Sequence, residues 1–165
     1  MKKSALIFFL VAIFLSTAVT LHGQTTTAPL DQRKLISQFE GKWQAQDGKD
    51  TLQVWDWHSY GKSNECFITL NVGGKESPLY KSMSNFDTRT KKFIGANFFY
   101  GGWSNGWTGS FVSEKKLVID HYRLSEPTTL TYKVEFVFET PDSFTAVFNN
   151  LSRNTFTTLN FSRIK

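Results

Sequence analysis

From residue 42 onward, apolar and polar residues alternate with a period of two, and turn-forming residues interrupt the alternation about every ten residues. This pattern belongs to consecutive antiparallel strands with one buried face and one wet face. It is clearest at Leu130 to Phe138, where Leu130, Tyr132, Val134, Phe136 and Phe138 share one face while Thr131, Lys133 and Glu135 share the other. Pro141-Asp142 turns the chain into Phe144, Ala146 and Phe148, and a polar run from Asn149 to Asn154 turns it again into Thr155 to Arg163. Upstream, the same reading gives strands at Lys42 to Gln46, Thr51 to His58, Glu65 to Val72, Leu79 to Phe86, Lys92 to Phe99, Gly106 to Val112 and Lys115 to Arg123. One helical pattern stands apart: Leu35, Ile36 and Phe39 fall on one face between Leu30 and Phe39, with Asp31 as N-cap and Gly41 just past the end.

About ten strands joined by short connections leave no room for the crossovers of a parallel sheet, so an all-β, up-and-down topology follows. The sheet either closes into an antiparallel barrel of about eight to ten strands or folds over as a β-sandwich. Closure is favoured because it removes the edges that an open meander exposes. A barrel of that size encloses room for one small ligand.

The segment before the helix changes the expected location. Lys2 and Lys3 precede an unbroken apolar run from Ala5 to Leu15, the layout of a secretory signal and too short to span a bilayer. Cleavage after Ala18 or after Gly23 fits the small residues there, and Gly23 is preferred. Residues 1–23 are therefore expected to be a signal peptide, 24–29 a Thr-rich disordered leader and 30–165 the β-barrel domain, in a periplasmic or secreted protein with no membrane span. The formal net charge of +5 falls to +3 when Lys2 and Lys3 are removed, and the remaining basic residues are scattered, which argues against nucleic acid as a partner. Cys66 is the single cysteine, so no intramolecular disulfide is available. Its strand neighbours Ile68, Leu70 and Val72 mark it as a small core residue. The core must come from the aromatic fraction of 16% instead.

Phe39-Glu40-Gly41-Lys42-Trp43 resembles the Gly-x-Trp opening of the calycins, the superfamily of lipocalins and fatty-acid-binding proteins. Asn85 to Phe93 resembles a hairpin common in bacterial secreted lipocalin-like domains of unknown function. The resemblance implies a barrel whose floor is closed by Trp43 against a basic residue of the last strand. Arg163, on the same face as Leu159 and Phe161, is placed to be that residue. It also implies a small apolar or amphipathic molecule as the partner. Haem is not implied, because Gln44-Ala45-Gln46-Asp47 stands where the haem-binding members carry a glycine-rich motif, and no cofactor is expected.

Candidate chemistry is sparse. Asp56 and His58 share a face with Leu52 and Val54; inside the barrel they would form an acid–base pair, outside it a solvated one. His121 lies in a strand apolar on both faces, so parity leaves it either a hydrogen-bonded wall residue or a lumenal group. With His58 and His121 the only histidines after the signal, a three-histidine zinc site is excluded and no metal is expected. The Gly-rich, aromatic stretch around Tyr100, Trp103 and Trp107 reads as a barrel mouth that stacks a ligand, or as a hairpin completing the core. Expected ligand-binding residues are thus Tyr100, Trp103, Trp107, His121 and Tyr132. No nucleophile elbow, phosphate loop or dinucleotide fingerprint occurs, so no catalytic residue is assigned. A small barrel enzyme using Asp56/His58 or His121, and a carbohydrate-binding or structural interaction module using the Trp103/Trp107 loop, stand as alternatives to the binding protein.

Overall fold

A computed structural model describes residues 29–165; the expected signal peptide and most of the leader lie outside the described residues. The described chain opens with helix α1 (Gln32–Ile36), continued by a 3-10 turn, Ser37–Phe39. The Asp31 side chain caps the helix by accepting a hydrogen bond from the Lys34 backbone N–H at 3.1 Å. Ten strands follow: β1 (Gly41–Gln46), β2 (Thr51–Tyr60), β3 (Ser63–Val72), β4 (Lys75–Asp87) and β5 (Lys92–Phe99) make the first half. The second half is β6 (Ser104–Ser113), β7 (Lys116–Arg123), β8 (Glu126–Thr140), β9 (Ser143–Asn150) and β10 (Thr155–Arg163).

Every strand pairs antiparallel with its sequence neighbours, and β1 pairs with β10 through Trp43↔Arg163, Gln44↔Ser162 and Ala45↔Phe161. The sheet is a closed up-and-down barrel, and the sandwich alternative does not apply. Several strands outrun the alternating pattern. β4 and β8 continue past Pro78 and Pro127 respectively, where the ladder absorbs the missing N–H groups by register shifts opposite Thr69 and opposite Tyr122 to Arg123.

The two ends of the barrel differ. At the end where β1 begins, Trp43, Phe39 and Phe144 are fully buried and Phe138, Phe136 and Phe161 nearly so, their rings packed edge-on or tilted except for Phe144 and Phe161, which stack. This plug fills the lower half of the interior. Over it, the Arg163 guanidinium carbon lies 4.1 Å from the centroid of the Trp43 ring, a cation–π contact. Trp43 Nε1–H donates to Phe39 O at 2.7 Å, tying the 3-10 turn to the floor. Gly41 adopts φ +104°, and a Cβ there would sit 2.9 Å from Arg163 Nη1, so glycine allows both the sharp entry into β1 and the passage of the guanidinium.

Candidate functional site

The opposite end is open. There, at the end that carries the β1–β2, β3–β4, β5–β6, β7–β8 and β9–β10 turns, strands β4 to β9 together with the β5–β6 and β9–β10 turns line a cavity of about 640 Å³. That volume lies within the roughly 300–1,000 Å³ of small-molecule sites.

Its apolar wall comes from β4 and from the end of β5. Phe99 N–H donates to Trp103 O at 2.9 Å and Gly102 N–H to Phe99 O at 3.0 Å, so the turn folds back over its own strand. Trp103 consequently lies flat on Phe99, with ring centroids 3.4 Å apart and planes 10° from parallel. Tyr80 continues the stack at 4.6 Å from Phe99. Burial pushes the Tyr80 hydroxyl above its usual range, so it is a neutral phenol. Phe148 and Val134 add apolar surface from β9 and β8.

The polar part of the lining is neutral at depth and charged at the rim. On the inward face, Ser82, Asn97 and Asn105 are consecutive ladder partners across β4, β5 and β6. This polar belt marks where the cavity ends and the aromatic plug begins. Asn150, buried, donates from Nδ2 to the Tyr132 hydroxyl at 3.1 Å. Its Oδ1 accepts from Ser152 Oγ at 2.8 Å and from the Arg153 N–H at 3.1 Å, which fixes both the β9–β10 turn and the Tyr132 ring. His121 stands on the ladder between Trp107 and Tyr132 and faces inward. Its Nδ1 is buried without a hydrogen-bond partner among the described residues, as is Asn105 Oδ1. Desolvation lowers the His121 pKa from 6.5 to about 4, so the imidazole is neutral at ordinary pH. The charged lining residues are Arg123 and Arg153. Arg123 is largely exposed and lies 4.0 Å from Glu126.

Of the residues expected to bind ligand, Trp103, His121 and Tyr132 line the cavity together. Tyr100 does not: it points into solvent from the tip of the β5–β6 turn, 65% exposed. Trp107 is not at the mouth either. It begins the interior run of β6, is 2% exposed, and its Nε1–H donates to Ser82 Oγ at 3.3 Å from beneath the belt. The reason lies opposite it, where Gly95 leaves room for the indole and a Cβ would overlap Trp107 Cε2 and Cζ2. A separate void of about 40 Å³ lies beside Trp107, Trp55 and Cys66.

Asp56 and His58 project from the outer wall, because Trp55 and Trp57 take the inward positions of β2. His58 Nε2 lies 3.0 Å from Asp56 Oδ1, and Lys42 Nζ lies 3.4 Å from Asp56 Oδ2. The three side chains meet on the outer surface, and none of them lines the cavity. Cys66 is fully buried and free, and burial pushes its thiol pKa up, consistent with a packing role.

Tyr80, Phe99, Asn97, Asn105, Phe148 and Asn150 also line the cavity, and the sequence reading did not single them out. A signal existed for the asparagines. Asn97 shares parity with Phe93, and Asn105 with Trp107 and Phe111, so each is a polar residue on an otherwise buried face, close to a strand end. Among the described residues no group of three or more His, Cys, Asp or Glu is arranged to hold a metal ion. Comparison of the sequence with protein-family models and with curated proteins finds no match.

Proposed function

We propose that this chain is an exported, lipocalin-like binding protein that holds one small apolar or amphipathic molecule in the open half of its barrel. The observation that carries the reading is the asymmetry of the interior: an aromatic plug sealed by Arg163 at one end, and at the other a cavity of about 640 Å³ with an aromatic wall. A closed barrel filled to both ends would be a structural module. Here the filling stops at the Ser82–Asn97–Asn105 belt, and the space above it opens outward. The rigid wall around it restricts the conformational entropy lost when a ligand enters.

The Lys2-Lys3 and Ala5 to Leu15 signal supports delivery to the periplasm or the exterior. Ligands there must be found in dilute solution, which suits a preformed cavity.

Native mass spectrometry of the protein purified from its own host, before and after organic extraction, tests the proposal. The expected result is a bound mass that extraction removes, together with a Trp103-dependent fluorescence change when the extract is returned. An empty protein whose fluorescence ignores the extract and a panel of apolar dyes would refute it. N-terminal sequencing of the exported form tests localisation, with Gln24 as the expected first residue.

A further inference from the structure

Asn105 and His121 line the base of the cavity, and two of their polar atoms, Asn105 Oδ1 and His121 Nδ1, are almost fully buried and have no partner in the described chain. They belong to adjacent strands. Asn105 pairs with Arg123 and His121 with Trp107, which makes Asn105 and His121 diagonal neighbours on one inward face. Buried polar groups are normally satisfied, and an unsatisfied one at the base of an open cavity identifies what its occupant must supply.

We infer that the cavity selects a neutral, flat molecule carrying a hydrogen-bond donor, a hydroxyl or an N–H, which enters first and meets Asn105 and His121 while its apolar body lies against Phe99 and Phe148. This rests on the binding reading above and specifies its ligand class.

The carbonyl oxygen of Asn105 only accepts, so it requires a donor. His121 is neutral, because burial holds its pKa near 4, and one of its ring nitrogens accepts while the other donates. A hydroxyl satisfies either arrangement at Nδ1, since it both donates and accepts. An anionic head group does not fit at this depth: Asn105 Oδ1 would repel it, Arg153 belongs to the β9–β10 turn, and the side chain of Arg123, at the end of β7, is largely exposed and lies 4.0 Å from Glu126. A flat body suits the wall because the wall is built of aromatic rings, Tyr80, Phe99, Trp103 and Phe148.

The test uses three probes with one common body: naphthalene, 2-methoxynaphthalene and 2-naphthol. Calorimetric titration of the full mature protein should show 2-naphthol binding about tenfold or more tightly than the other two, because only the naphthol donates. In Asn105→Leu this advantage should vanish while naphthalene binding holds or improves. Should that variant fold poorly by circular dichroism, the wild-type protein still gives an answer: 2-naphthol should shift the His121 imidazole nitrogen resonances and naphthalene should not. Equal binding of the three probes would overturn the donor requirement and leave the cavity as a binding site. A naphthol advantage that survives Asn105→Leu, with no shift at His121, would overturn the assignment to these residues. Failure of every probe to bind, in protein that also carries nothing extractable, would overturn the binding reading itself.

Discussion

Replacing Trp43 by Leu and Arg163 by Met, singly and together, asks whether the barrel is held shut by one contact or by several independent ones. Trp43 is fully buried among Phe138 and Phe144, so Trp43→Leu removes a large packed ring and should cost roughly 3 kcal/mol. Arg163→Met keeps the apolar stem but loses the guanidinium. That group donates from Nη2 to Gln38 O and Pro141 O, each at 3.1 Å, and from Nη1 to Glu40 O, while Nε lies 3.2 Å from Asp142 Oδ1. It therefore joins the 3-10 turn to the β8–β9 turn across the floor. These partners are near solvent and water replaces part of what is lost, which brings the expected cost to about 2 kcal/mol rather than the sum of four charged hydrogen bonds. The two residues also face each other at 4.1 Å through a cation–π contact worth about 0.5–2 kcal/mol. The double variant should thus lose less than the two single losses combined, by that amount. Urea unfolding followed by far-ultraviolet circular dichroism, with equal slopes across the four proteins, measures the coupling. A coupling below about 0.3 kcal/mol would show that Trp43 and Arg163 stabilise the floor independently and would remove the closing contact.

Gly95→Ala places a methyl group inside the space of the Trp107 indole and 2.6 Å from Met83 O, so the ring must leave its bond to Ser82. The expected loss is about 1–3 kcal/mol by chemical denaturation, with a changed near-ultraviolet spectrum, and an unaltered spectrum and stability would show that Trp107 is not locked there. His121 gives a pH dependence of defined sign. Its folded pKa, about 4, lies below its unfolded 6.5, so the unfolded chain takes up the proton first and stability falls as pH drops from 6.5 towards 4, levelling off below. The full difference corresponds to roughly 3 kcal/mol, and His121→Gln should flatten the profile of unfolding free energy against pH by about that much; parallel profiles for the two proteins would place His121 in contact with water.

Much of the architecture was written locally. Period-two alternation located all ten strands, and turn residues located their connections, because an antiparallel meander is built from contacts between sequence neighbours. Helix α1 followed from Asp31 and Gly41, and the Trp43 floor from the resemblance of Gly41-Lys42-Trp43 to the calycin opening. Alternation tells which residues share a face but not which face turns inward, and that gap accounts for the differences. Asp56 and His58 are outside because Trp55 and Trp57, equally well patterned, fill the interior. His121, whose strand is apolar on both faces, is turned inward by its pairing with Trp107 and Tyr132. Trp103 and Trp107, four residues apart in one Gly-rich stretch, separate into a mouth ring and a core ring because only Trp107 meets a glycine across the ladder. The cavity itself needed the tertiary structure most, since its emptiness depends on where large side chains from ten strands stop overlapping. The sequence by itself determined a ten-stranded β meander with an aromatic interior. Closure through β1 and β10 decided which half of that interior is filled and which half is left open, because only closure brings the rings of distant strands to one level.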